Sequence, residues 1–236
     1  MIIKDNFHNF TTSPLVVATI TTAEDLAILS KEGVIDGIDV LELRLDNLSQ
    51  IGPSALDQAE EMAGDLGSIL ITARHPLEGG IGILDAGARE QLLTRFLPHA
   101  AIVDLELRSI DESEALREFV ETARASGAAV IGSMHDFEKM PGSEALSQAA
   151  MKAEEFQLDA VKVAVVVETN RDIFDLATFV ESTKGPVSAM GMGPLGKLSR
   201  LVLARAGSVL NYGYFRVPNA PGQWPAQELK RLIAEL

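Results

Sequence analysis

Apolar runs and amphipathic segments alternate along nearly the whole chain. Eight short runs rich in β-branched residues recur at Leu15–Ile20, Ile38–Leu43, Ser68–Thr72, Ala101–Leu107, Ala128–Met134, Ala160–Val167, Pro186–Met190 and Ser208–Tyr214. Most are continuous rather than alternating, the pattern of strands covered on both faces. Between them, over Pro53–Gly67, Asp85–Pro98, Glu112–Gly127, Ser143–Gln157 and Asn170–Lys184, apolar residues return at three- and four-residue spacing. That periodicity predicts helices with one buried stripe. Thr21-Thr22-Ala23-Glu24 has the form of a capping box opening a first helix, which Gly33 closes. Two further helices are predicted over Leu198–Ala206 and Pro225–Leu236, with Pro225 suited to the first turn. Strands that each lead into a helix predict an α/β fold, a (β/α)8 TIM barrel, as a single domain over residues 1–236. No G-x-G-x-x-G follows the first run, which argues against an open dinucleotide-binding sheet.

Lys162 breaks this pattern, because it stands inside the otherwise apolar run Ala160–Val167. Burying an unpaired ammonium is costly, so such a lysine is rarely there for stability. Burial also lowers its pKa and leaves a neutral amine, a nucleophile toward carbonyl carbon. The competing reading is a lysine at a strand edge, its stem on apolar surface and its head in water.

In a barrel, reactive groups collect at the C-terminal strand ends and in the loops that follow. The second strand ends Leu41-Glu42-Leu43-Arg44-Leu45-Asp46, and the alternation places Glu42, Arg44 and Asp46 on the inward face. The third runs into a loop carrying Arg74 and Glu78 before Gly79-Gly80. The fourth sets Asp104, Glu106 and Arg108 at one parity, either as ligands or as buried partners that hold the arginines and tune the lysine. His135, where the fifth strand meets its loop and beside the strand of Lys162, is a candidate general base, against the reading of a capping or core histidine. Of the other histidines, His8 lies in the N-terminal tail, His99 follows a helix, and His75 is the weaker rival. The glycine-rich turn Gly191–Gly196 offers backbone N–H groups to an anion but lacks the P-loop pattern, and Arg200 beyond it can grip a carboxylate. Asn219 and Gln223 sit in a Pro- and Gly-rich last loop, read either as a lid over the barrel mouth or as ordinary surface.

Composition narrows the partners. With 47% hydrophobic residues the chain can bury a large core, and its net charge of −14 argues against nucleic acid or an anionic membrane as partner. A small anionic substrate stays open if a few cations converge. Cysteine is absent, which removes disulfides and thiolate chemistry, and no cluster of metal ligands stands out. No apolar stretch approaches the ~20 residues of a membrane span. A soluble, cytoplasmic protein is expected.

Taken in order, Glu42-Leu43-Arg44-Leu45-Asp46, Thr72-Ala73-Arg74 with Glu78-Gly79-Gly80, Ser133-Met134-His135-Asp136-Phe137, Val161-Lys162-Val163-Ala164, Ser188-Ala189-Met190-Gly191, Ser199-Arg200 and Ala220-Pro221-Gly222-Gln223 resemble the type I 3-dehydroquinate dehydratase family. The resemblance implies a cofactor-free and metal-free elimination of water from 3-dehydroquinate to 3-dehydroshikimate, in the shikimate pathway, by a cytoplasmic homodimer. It implies Lys162 as the Schiff-base lysine, His135 as proton acceptor and donor, and Glu78 as the acid assisting it. Arg200 would bind the substrate carboxylate, with Thr19, Glu42, Arg44, Arg74, Asn219 and Gln223 on its hydroxyls and Tyr212 packed beside it. Two positions depart from the family pattern: Asn219 replaces the usual serine and Asn211 the usual threonine. The competing functions are another Schiff-base barrel such as a class I aldolase, or an inactive barrel kept as a scaffold.

Overall fold

A computed structural model describes residues 14–33, 36–66 and 69–236. Eight parallel strands, β1 (Leu15–Ile20), β2 (Val40–Arg44), β3 (Ile69–Thr72), β4 (Ala100–Glu106), β5 (Ala129–Asp136), β6 (Ala160–Val166), β7 (Val187–Met192) and β8 (Leu210–Tyr214), form one sheet. The order β7-β6-β5-β4-β3-β2-β1-β8 brings the last two strands together at a seam. No regular ladder joins them there. Instead the Val209 N–H donates to the Val187 carbonyl at 2.9 Å. Ser188 Oγ donates to the Leu210 carbonyl at 2.6 Å, and Ser208 Oγ accepts the Ala189 N–H at 3.0 Å. Two buried serines thus take over hydrogen bonds that a ladder would make, and the barrel closes.

Side chains alternate across the sheet, so the outward residues Val16, Ala18, Ile20, Leu43, Ile71, Val103 and Val163 pack under the helices. Inside, Val17, Leu70, Ile102, Ile131 and Leu210 fill the barrel with apolar volume. One step further along the same strands the inward positions turn polar, at Thr19, Glu42, Thr72, Asp104, Ser133 and Lys162, all buried. The apolar layer therefore acts as a floor beneath a charged one.

The helices are α1 (Ala23–Glu32), α2 (Leu45–Ile51), α3 (Pro53–Leu66), α4 (Ala86–Phe96), α5 (Leu107–Glu112), α6 (Glu114–Ala125), α7 (Ser143–Glu155), α8 (Asn170–Ser182), α9 (Gly196–Ala206) and α10 (Ala226–Ile233). α1 opens one residue later than the sequence pattern predicts. Thr22, not Thr21, is the cap: its Oγ1 accepts the Asp25 N–H, and Asp25 Oδ2 accepts the Thr22 N–H, both at 3.1 Å. Glu24 is left free to pair with Arg216. Gly33, at φ 72°, ends the helix in a conformation that a side chain would strain.

Two short helices were not anticipated, and both correct the site. β2 stops at Arg44 and runs straight into α2, so Asp46 leaves the inward row. It is buried beneath the following loop, where it binds Arg44 and the N–H groups of Arg74 and Ile81. β4 likewise passes into α5, which turns Arg108 away to pair with Glu112. β5 runs on to Asp136, so His135 belongs to the strand itself. Gly67, Ser68 and His8 lie outside the described residues.

Closing the seam with a hydroxyl has a measurable consequence. Ser208→Ala leaves the buried Ala189 N–H unpaired and should lower stability by about 1–3 kcal/mol in urea unfolding. Ser147→Ala, on the exposed side of α7, should stay within about 0.5 kcal/mol of the parent; equal effects would show that the seam does not depend on this bond.

Candidate active site

The charged layer is organised around Asp104 on β4. Its carboxylate accepts Arg74 through both terminal nitrogens, Nη1 at 3.0 Å and Nη2 at 2.9 Å. Ser133 Oγ donates to it at 2.6 Å, and so does Lys162 Nζ, also at 2.6 Å. Burial alone would raise the Asp104 pKa, but Arg74 and Lys162 outweigh it and hold the carboxyl well below its usual range. Arg74 also bonds Glu106, which in turn pairs with Arg89 of α4. Arg89 was not anticipated; the signal for it is its place on the same helix face as the buried Leu93 and Phe96.

Lys162 is 3% exposed, which rules out a side chain reaching water from a strand edge. Besides Asp104, its ammonium meets the face of Tyr212, with Nζ 3.9 Å from the ring centroid. Burial lowers its pKa and Arg74 adds to this, against the opposing pull of Asp104 and Glu42; the net direction is down. The amine is thereby brought nearer to its nucleophilic form.

β5 pairs with β6 so that Ser133 lies opposite Lys162 and His135 opposite Ala164. His135 therefore stands one inward step above the lysine. Glu78, in a single helical turn at Pro76–Glu78, accepts the His135 backbone N–H at 2.9 Å, and its Oε2 lies 3.0 Å from Nδ1. Gly80 is needed in this loop because a Cβ there would come within 2.3 Å of the Arg74 carbonyl oxygen. Burial, then Arg74 and Lys162, push the His135 pKa well below its usual value, so the imidazole is neutral. Burial and the nearby Glu106 raise Glu78 to about 7. When ionised, Glu78 can only accept, which places the imidazole proton on Nδ1 and leaves Nε2 as a base.

Opposite this pair sits Arg200 of α9, 2% exposed. It donates to the carbonyls of Tyr212 at 2.7 Å and Gly222 at 3.2 Å, and no carboxylate among the described residues pairs with it. Burial lowers its pKa to about 10, so it remains a cation in search of an anion. Gln223 Oε1 accepts the N–H groups of Asn219 and Ala220, which fixes the last loop and leaves the Gln223 amide nitrogen available. The glycine-rich turn packs against that loop: a Cβ on Gly196 would lie 2.9 Å from Gly222 Cα. Its N–H groups at Gly191 and Gly193 bond Ser199 Oγ and the Pro221 carbonyl, so they are not offered to a phosphate.

These groups enclose one pocket of about 190 Å³. Every residue that the family resemblance assigns to the site lines it: Thr19, Glu42, Arg44, Arg74, Glu78, His135, Lys162, Arg200, Tyr212, Asn219 and Gln223. Phe137, Met190 and Met192 line it too, without having been singled out. Arg44 is gripped by both Asp46 oxygens and reaches the Gly79 carbonyl. Glu42 accepts the Thr72 hydroxyl at 2.7 Å. His75 caps the turn of Glu78 and does not line the pocket. Among the described residues no cluster of three or more His, Asp or Glu could hold a metal ion.

A closed (β/α)8 barrel with a polar pocket at the C-terminal strand ends is the architecture of a barrel enzyme, here with a buried lysine at its centre. The chain belongs to the type I 3-dehydroquinase family, whose sequence profile matches residues 15–236. It is 35% identical over 217 residues to a 3-dehydroquinate dehydratase of Methanocella arvoryzae, covering 92% of this chain and 94% of that protein. A 3-dehydroquinate dehydratase of Methanothermobacter thermautotrophicus is 32% identical, with 91% and 93% covered. Among solved structures, the type I 3-dehydroquinate dehydratase of Clostridium difficile, determined with covalently modified comenic acid, superposes with a TM-score of 0.82. It is 25% identical, and the match covers 94% of this chain and 92% of that one.

Glu78 binds its proton more tightly in the folded protein than in the unfolded chain, so its contribution to stability falls as pH rises from about 4.5 to about 7. His135 has the opposite sign and acts below its unfolded value, where the unfolded chain takes up a proton that the folded one refuses. Glu78→Gln should therefore gain on the parent in chemical denaturation between pH 5 and pH 8, by up to about 3 kcal/mol. A difference that stays flat across that interval would mean the carboxyl ionises freely.

Proposed function

We propose that this pocket removes water from 3-dehydroquinate to give 3-dehydroshikimate, through a Schiff base on Lys162. The observation that carries the reading is the lysine itself: buried, lowered in pKa, and one inward step below a neutral His135 in the same pocket. Membership in the family and relatives named 3-dehydroquinate dehydratase supply the substrate.

Lys162 Nζ attacks the C3 ketone, and loss of water gives an iminium. This cation withdraws electrons from C2 and acidifies its hydrogen. His135 takes that proton at Nε2, with Glu78 holding the Nδ1 proton, and later returns one to the departing C1 hydroxyl. The same imidazole assists formation and hydrolysis of the imine. Because the iminium is the electron sink, the scheme needs neither cofactor nor metal.

Arg200 takes the substrate carboxylate, since it is a buried cation whose own contacts are neutral carbonyls. Glu42, Arg44 and Gln223 address the ring hydroxyls, with Thr19 and Asn219 at the rim, and Tyr212 packs beside the ring. Arg74 commits Nη1 to Asp104, Glu106 and Ser133, so it contributes mainly charge and its remaining N–H groups. Arg44, Arg74 and Arg200 together explain how a protein of net charge −14 holds an anion.

Borohydride added with 3-dehydroquinate should leave a stable mass increment on the peptide containing Lys162. Lys162→Ala should lose both the adduct and nearly all turnover, and near-normal turnover in that variant would sink the mechanism. His135→Ala should slow the reaction by about 10²–10⁴ while still accumulating imine. Arg200→Ala should raise KM on the order of tenfold to a hundredfold, as expected for loss of a charge-assisted pair; an unchanged KM would refute the carboxylate role. The family resemblance also carries a cytoplasmic homodimer, which sedimentation would test: a single species of monomer mass would exclude the dimer.

A further inference from the structure

We propose that Asp104 is the standing counter-ion of the Lys162 nitrogen, orienting it before it attacks and keeping it protonated once the iminium has formed. This rests on the reading of Lys162 as the imine-forming lysine. The geometry is one-sided: among the described residues, Asp104 Oδ2 at 2.6 Å is the hydrogen-bond partner of Nζ, and the Tyr212 ring faces Nζ at 3.9 Å. The other ionisable groups around this nitrogen are Glu42 from β2, Arg74 beyond β3, His135 from β5 and Tyr212 from β8. β7 contributes only the uncharged Ser188 and Met190.

Imine formation conserves charge at nitrogen. In net balance an ammonium and a ketone give an iminium and water: one proton leaves the nitrogen so that the free amine can attack, C=N replaces C=O, and the carbonyl oxygen departs as water with that proton and a second one from the nitrogen. The nitrogen is singly positive before and after, and one N–H survives. A carboxylate fixed beside it serves both states without rearranging. If that last proton were lost, the neutral imine would be a poor electron sink and C2 would no longer be acidified. Asp104 opposes this loss.

Asp104 is equipped to pair with the nitrogen without deprotonating it. Four hydrogen bonds, from Arg74 Nη1 and Nη2, Ser133 and Lys162, occupy its two oxygens. The bidentate Arg74 keeps it ionised. A carboxylate so saturated is a weak base and a fixed negative charge. Asp104 does not line the pocket, so its effect on the reaction passes through Lys162 and not through the substrate.

Wild-type, Asp104→Asn and Ser133→Ala enzymes would be mixed with 3-dehydroquinate and cyanoborohydride from about pH 6 to about pH 10. The readouts are the adduct at Lys162 by peptide mass, together with kcat and KM. In Asp104→Asn the alkaline limb of both trapping and kcat should move at least about one pH unit lower. At pH 8 kcat should fall at least tenfold while KM changes by less than about threefold. Ser133→Ala, which removes one donor from the carboxylate, should move the same limb slightly and leave the adduct in place. An unshifted limb in Asp104→Asn overturns the proposal, as does a rise in KM alone, which would make Asp104 only a support for Arg74. Where Asp104→Asn fails to fold, an unshifted limb in Ser133→Ala overturns it instead. Absence of any adduct in the wild type overturns the reading of Lys162, and this inference with it.

Discussion

Charge cannot be buried in a barrel without partners, and the site is arranged around that constraint. Taking a single ammonium, guanidinium or carboxylate out of water is costly, and the cost is offset when opposite charges or well-placed hydrogen-bond partners meet it in good geometry. Here Arg74, Asp104, Glu106, Arg89 and Lys162 form one connected set on β4, β6 and α4 and just beyond the end of β3. Each member is buried, and each acid faces at least two cations. Removing one would strand another, which makes the set a unit of structure as well as of chemistry.

From this unit the reactive properties follow in opposite directions. Asp104 and Glu106 sit among cations and are held as carboxylates although burial disfavours their charge. Lys162 and His135 share the same burial, and the cations around them add to it, so their protons are loosened. Glu78 forms no ion pair with an arginine among the described residues, and burial prevails over the pull of Arg74, which sets its pKa near neutrality. One low-dielectric pocket thus holds firm anions, a softened lysine, a neutral imidazole and a carboxyl poised to exchange its proton. Arg200 stands apart from the set with no acid of its own among the described residues, and that isolation suits it to a ligand's negative charge.

The remainder of the fold serves to hold these groups still. The apolar floor beneath them excludes water, and the serine-bonded seam between β7 and β8 closes the wall. Loops lock against one another at glycines where no Cβ fits, Gly80 under the Arg74 carbonyl and Gly196 against Gly222. Gln223 fastens its own loop by accepting two backbone N–H groups, and it lines the pocket.

Hydrophobic periodicity by itself determined the barrel, since continuous apolar runs alternating with helical stripes admit few other architectures. The same reasoning picked out Lys162 and the inward parity of Glu42, Asp104 and Glu106, because a charge in a two-faced buried strand contradicts its surroundings. It went wrong at Asp46 and Arg108. There the chain leaves β2 and β4 directly into α2 and α5, and the local alternation looks the same whether a strand continues or ends. Arg89 could not be told from an ordinary helical arginine until α4 was docked with that face inward. The pairing of Asp104 with Lys162, of Glu78 with His135, and the solitude of Arg200 were decided by tertiary structure alone. Those relations join residues from separate βα units, and the pKa of each group depends on distances that only closure of the barrel sets.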